Sequence, residues 1–151
     1  MQREHFIDSF EELNKFSKLV FNHNAKLILL HGDLGAGKTT FVANFIKENL
    51  LSPGENFDDL GVMSPTFSLI NQYQTKTKLI VHSDMYRLKK GDFEEEELSS
   101  LIDDADYTFI EWPSKLKNIE NLTEAFKSLS LNFELSEAGK RKVLITPPPL
   151  D

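Results

Sequence analysis

The chain contains no cysteine. That absence excludes a disulfide framework and every thiolate metal site, and it is compatible with a reducing compartment, so the expected location is the cytoplasm. No apolar run is long enough to span a bilayer. The opening residues, MQREHFIDSFEELNKF, lack the apolar stretch of a secretory leader. Arginine is scarce, with Arg3, Arg87 and Arg141 scattered along the chain. Positive charge is in deficit too: 17 Lys and Arg stand against 24 Asp and Glu, a net charge of −7. Nucleic acid is bound by cations that displace its counterions, so tight direct binding of free nucleic acid by this chain is not expected. Internal repeats and interdomain linkers are also missing.

What remains is a chain of 151 residues, 40% apolar, with 12 phenylalanines. That length suits one domain that buries roughly 70% of the surface its unfolded chain exposes. SFEELNKFSKLVF predicts a helix: Ser9 and Glu12 have capping-box spacing, and Phe10, Leu13, Phe16, Leu19 and Val20 recur at helical intervals. KLILL is a short continuous apolar run, the pattern of a buried parallel strand. After the turn GDLGAG, KTTFVANFIKENLL predicts a helix with Phe41, Phe45 and Ile46 on its inner face. SPGENFDDLG is a loop. FSLINQY and LIVHSD predict strands around a hairpin turn at QTKTK, and YTFIEW predicts a further core strand. GDFEEEELSSLID is an acidic helix with Asp92 as its cap and a solvated face. NLTEAFKSLSLNFELSE and RKVLITP are expected to finish the chain as strands around a turn at Gly139. Strands alternating with helices predict an α/β fold, one domain over 1–151 with a mainly parallel sheet flanked by helices. Residues 146–151 read as a flexible tail.

Gly32 to Thr39 reads G-D-L-G-A-G-K-T, a complete phosphate-binding loop between a strand and a helix. Glycines let the backbone curl so that successive N–H groups point at phosphate oxygens. The helix that follows offers its positive dipole end to the same anion. Lys38 can reach the β- and γ-phosphates, and the Thr39 hydroxyl can bind Mg²⁺. A nucleoside triphosphate with its metal also needs a carboxylate at the end of a neighbouring strand. Two candidates qualify, Asp84 after LIV and Glu111 after YTFI. Either could orient the attacking water while the other completes the metal shell, so both are candidate catalytic and metal-binding residues beside Lys38 and Thr39. His82 and Asp84 share a face of their strand, because side chains alternate. Ser83 points the other way, which excludes a hydrolase triad from HSD. No N-K-x-D element of guanine recognition occurs, which favours adenine.

Four motifs, GDLGAGKTTF, SPTFSL, HSDMYRL and EWP, occur in order between Leu27 and Pro113. Together they resemble the bacterial TsaE (YjeE) family, the ATPase of tRNA threonylcarbamoyladenosine biosynthesis. The resemblance implies a small P-loop domain that hydrolyses ATP with Mg²⁺. It implies TsaD and TsaB as partners, whose complex transfers a threonylcarbamoyl group to the adenosine next to the anticodon, so that tRNA is met only through them. Leu34, Gly35, Ala36, Gly37, Lys38, Thr39 and Thr40 match the nucleotide-binding loop, and Thr39 and Glu111 match the Mg²⁺ positions. Ser64, Pro65 and Thr66 match a switch-like segment in which Thr66 senses the γ-phosphate. His82, Asp84, Tyr86 and Arg87 match an H-x-D-x-Y-R motif, and Trp112 matches a tryptophan beside the nucleotide. The resemblance also implies that adenine packs near Phe6 to Ser9. The chain departs from the family at Ser114, where an acid often follows EWP, and at GKRK, where either Lys140 or Arg141 takes the place of the family's nucleotide-contacting arginine.

The rival is a small kinase that passes the phosphoryl group to a metabolite. Such enzymes close an arginine-rich lid over the site, and the scattered arginines argue against one.

Overall fold

The sequence places its most continuous apolar run, Leu27 to Leu30, where burial on both faces is greatest. A computed structural model describes residues 3–60, 62–63 (as backbone only), 69–89, 95–136 and 139–146. In it this run is β2 (Leu27–Gly32), with Leu27, Ile28, Leu29 and Leu30 all buried. The other elements are β1 (Arg3–Ile7), α1 (Phe10–Phe21), α2 (Lys38–Asn49), β3 (Val62–Met63), β4 (Ile70–Gln74), β5 (Leu79–Asp84), α3 (Glu95–Asp104), β6 (Tyr107–Glu111), α4 (Ile119–Ala125), β7 (Ser128–Leu135) and β8 (Arg141–Thr146).

The strands form one sheet in the order β1-β8-β7-β2-β6-β5-β4-β3. The centre, β7-β2-β6-β5, is parallel, as expected for strands connected through helices. Antiparallel pairs extend it on both sides. The α/β architecture is therefore the one expected, with its parallel part concentrated in the middle. β4 and β5 are joined by the anticipated hairpin, where Thr75 N–H donates to Lys78 O at 2.8 Å.

Helices cover both faces. Ile28, Leu30, Ile80, Phe109, Leu131 and Phe133 pack with α1 and α2. Leu27, Leu29, Val81 and Ile110 pack with Leu98 and Ile102 of α3 and Leu122 of α4. Phe41 sits at the middle of the first layer, with ring centroids 5.6 Å from Phe16, 5.9 Å from Phe45, 5.7 Å from Phe133 and 6.4 Å from Phe109. α1 begins as its spacing predicts: Glu12 N–H donates to Ser9 Oγ at 3.2 Å, and Asp8 N–H donates to Glu12 Oε1 at 3.1 Å. α1 and α2 are also joined by a buried polar contact, in which Ser17 Oγ donates to Asn44 Oδ1 and Asn44 Nδ2 donates to Asn14 Oδ1 at 2.7 Å.

Two expectations need correction, and one strand had no expectation. NLTEAF is not strand: Ile119–Ala125 forms α4, a helix too short to print a clear period. Phe10 and Leu19 do not face the core, being 77% and 37% exposed. REHFI, unassigned from sequence, forms β1 at the sheet edge, where alternate side chains meet solvent and the apolar signal is weak. Asp92 and the tail from 147 onward lie outside the described residues.

Candidate functional site

The loop after β2 turns back on itself through three positive-φ glycines. Gly32 has φ 138°, and a Cβ there would lie 2.5 Å from the Phe133 carbonyl oxygen, so no larger residue fits. Gly35 and Gly37 have φ 79° and 106°. Gly37 is the N-cap of α2 and has no side chain to bond the first amides. The start of the helix thus presents uncapped N–H groups to the space above the loop. Leu34 and Thr40 are exposed at this rim and Ala36 is buried beneath it.

Lys38, on the first turn of α2, is 5% exposed. Its ammonium donates to the Gly32 carbonyl and, at 3.3 Å, to the Asp33 carbonyl. It also lies 4.2 Å from the centre of the Trp112 ring. Burial lowers the pKa of this ammonium below the usual lysine value, and the negative charges of Glu111, Asp84 and Asp33 act in the opposite direction. The side chain is folded over the loop that it would share with a phosphate.

Glu111 ends β6 and is 3% exposed. A buried carboxylate is costly unless it is bonded. The Thr39 hydroxyl stands 2.9 Å from its Oε2 and 3.1 Å from its Oε1. His82 Nε2, on neighbouring β5, lies 2.5 Å from Oε2. Burial pushes the pKa of the Glu111 carboxyl up; the hydrogen bond and charge of His82, the Thr39 bond and the Lys38 charge together outweigh it and hold the group below the usual carboxylate range.

Asp84 is the residue directly opposite Glu111 in the β5–β6 register. Unlike Glu111, it is exposed, and its Oδ1 accepts the Tyr86 N–H at 3.0 Å. His82, Asp84, Tyr86 and Arg87 line an open cavity of 220 Å³ beside it. Trp112 adopts the left-handed backbone conformation with φ 58°, immediately before Pro113, which disfavours a right-handed helical residue ahead of it. This turn sets the indole against Tyr86, with ring centroids 4.9 Å apart. Arg141, at the start of β8, passes over the loop, its guanidinium NH1 3.6 Å from where a Cβ on Gly37 would stand. Lys140 points elsewhere, with Nζ 3.9 Å from Asp8 on an exposed surface.

The fold thus brings Lys38, Thr39, Glu111, Trp112 and Arg141 to one sheet edge around the loop, with Asp84 at its rim. Ser64, Pro65 and Thr66 lie outside the described residues. His82 was noted in the sequence as a neighbour of Asp84, but its contact with Glu111 went unseen. Alternation put it on the correct face; only the pairing of β5 with β6 could have shown the partner. Among the described residues no group of three or more His, Asp or Glu side chains could hold a metal unaided.

A parallel-centred sheet, helices on both faces and a glycine loop feeding an uncapped helix define an α/β domain of the P-loop class. The backbone is similar to that of a crystal structure of Bacillus YdiB, with a TM-score of 0.65 at 21% identity, covering 99% of this chain and 87% of that one. Residues 7–143 match the family model described as "Threonylcarbamoyl adenosine biosynthesis protein TsaE". The chain belongs to the TsaE family and thereby to tRNA threonylcarbamoyladenosine biosynthesis. Among its relatives, the tRNA threonylcarbamoyladenosine biosynthesis protein TsaE of Rickettsia prowazekii is 38% identical over 91% of this chain and 90% of its own length. The protein of the same name from Rickettsia typhi is 36% identical over the same shares. That of Aquifex aeolicus is 30% identical over 95% of both.

Proposed function

We propose that this chain is a cytoplasmic, Mg²⁺-dependent ATPase that supports the TsaD–TsaB complex in modifying tRNA next to the anticodon. The observation that carries the reading is the contact between the Thr39 hydroxyl and the buried Glu111 carboxylate at the mouth of a loop with free helix amides. Such a pair has the oxygen donors and the charge for Mg²⁺ bound alongside a triphosphate.

Each residue then has a task. The backbone from Leu34 through Gly35, Ala36, Gly37 and Lys38 to Thr39 and Thr40 cradles the phosphates. Lys38 moves its ammonium from the loop carbonyls to phosphate oxygens, exchanging weak acceptors for charged ones. Thr39 and Glu111 would hold Mg²⁺, which would neutralise charge on the β- and γ-phosphate oxygens. Asp84, opposite Glu111 but exposed, is placed to orient a water or to reach the metal through one. That water's oxygen bonds to the γ-phosphorus as the bond to ADP breaks, giving ADP and free phosphate. Arg141, which lies over the loop, is favoured over Lys140 as the further phosphate contact. Trp112 walls the site beside Lys38, and Thr66 senses the γ-phosphate.

Free phosphate release from ATP tests the reading. The isolated chain is expected to turn over slowly and to be accelerated by the TsaD–TsaB complex. Phosphate recovered on a small-molecule acceptor would replace this reading with a kinase, and no stimulation by the complex would remove the partner assignment.

A further inference from the structure

The Thr39 hydroxyl lies between both oxygens of Glu111, at 2.9 and 3.1 Å. A hydroxyl has one hydrogen to donate, so this contact does not select between the two oxygens. The terminal torsion of a glutamate is broad and nearly two-fold, so the carboxylate has no orientation of its own. Thr39 is also exposed, on the loop that must receive the ligand. His82 differs on each count. It touches Oε2 alone, at 2.5 Å. Its side chain is 11% exposed against 4% for that of Glu111, so the contact is shielded from water. It rides on β5, whose register with β6 sets His82 beside Phe109, two residues before Glu111 and on the same face of the sheet.

We propose that His82 is a positioning residue: its Nε2–H donates to Glu111 Oε2 and fixes the carboxylate beside the Thr39 hydroxyl, in the orientation in which the two would hold a metal. This role rests on the ATPase reading above. Partners that orient metal-binding side chains in this way commonly change metal affinity by about 10–100-fold when removed. The ring works through Glu111.

The test has two arms. A long-range proton–nitrogen spectrum of the nucleotide-free protein reads the ring directly. Nε2 is expected to carry a proton, and an Nε2 without one cannot donate to a carboxylate and overturns the proposal. The second arm uses Trp112, the chain's single tryptophan, which lies 4.2 Å from Lys38 Nζ, as a fluorescent reporter of binding. In the presence of ATP, the Mg²⁺ concentration at half-saturation should rise about tenfold in His82→Ala. ATP binding in EDTA should be unchanged, and His82→Gln, which keeps a donor at similar reach, should recover most of the Mg²⁺ response. A purely packing role would leave the Mg²⁺ midpoint where it was in a folded variant. A normal wild-type titration with an unshifted His82→Ala or an unrescued His82→Gln overturns the role of His82 alone. A wild-type protein with no Mg²⁺-dependent signal overturns the ATPase reading and this part of it together. Should His82→Ala fail to fold, His82→Gln and the nitrogen spectrum still decide.

Discussion

The two faces of the sheet solve different problems. The face under α1 and α2 is built on interlocked phenylalanines, and at its carboxyl edge it ends in Glu111, His82 and Asp84. The face under α3 and α4 is mostly aliphatic. Its strands even carry two buried hydroxyls, Ser83 Oγ and Thr108 Oγ1, that lack a hydrogen-bond partner. At the carboxyl edge of the first face Glu111 is bonded to Thr39 and His82, whereas Ser83 Oγ and Thr108 Oγ1 of the second, like His5 Nε2 against Phe16 on the first, have no such bond. Interlocked aromatic rings lie beneath the strand end at which the buried Glu111 carboxylate sits within bonding distance of Thr39 on α2.

Substitutions at five positions break or sharpen that contrast. The largest effect is expected at Phe41, which touches four other rings: Phe41→Ala should cost about 3–5 kcal/mol by chemical denaturation. A loss below about 1 kcal/mol would mean that this layer collapses around the gap. Next is Glu111→Ala, for which ATP should still bind while turnover falls about 100-fold. Unchanged phosphate release would take Glu111 out of the chemistry. The same carboxylate gives a pH signature. Its pKa in the folded protein lies below the unfolded value, so its stabilisation is present above the ordinary carboxylate range and is lost as pH falls from that range through the lowered folded value. Acid unfolding of Glu111→Gln should therefore depend less steeply on pH than that of the wild type. Third, Arg141→Ala should weaken ATP binding about tenfold. Lys140→Ala, whose exposed ion pair is worth at most about 1 kcal/mol, should change it less than about twofold. The reverse order in a binding titration would exchange their roles. The smallest effect belongs to the other face. Thr108→Val removes an unpartnered hydroxyl at nearly constant shape and should leave stability unchanged or raise it by about 1 kcal/mol. A clear drop in melting temperature would reveal a partner for that hydroxyl.

Much of this was legible in the sequence, for reasons that differ by element. β2 and the loop were plain because a buried parallel strand and a glycine-rich turn each leave a dense local pattern. The α1 cap was plain because Ser9 and Glu12 meet within one turn. β1 and α4 left weaker traces: an edge strand shows solvent half of its side chains, and a helix of seven residues completes barely two turns. Phe10 and Leu19 fit the helical period but fall at the margin of its buried stripe. Which strands are neighbours is not a local property at all. Glu111 and His82 could each be assigned to a face, yet their meeting depends on β5 lying beside β6, and that order is decided by the whole sheet.

β1 pairs with β8, so Arg3 stands opposite Ile145 and Ile7 opposite Arg141. On the ribosome the first strand must therefore wait, its bonding edge open, until nearly all of the described chain has emerged. Arg141 arrives with that last strand. A nascent chain already carrying the glycine loop still lacks the guanidinium that crosses it until β8 has emerged and paired.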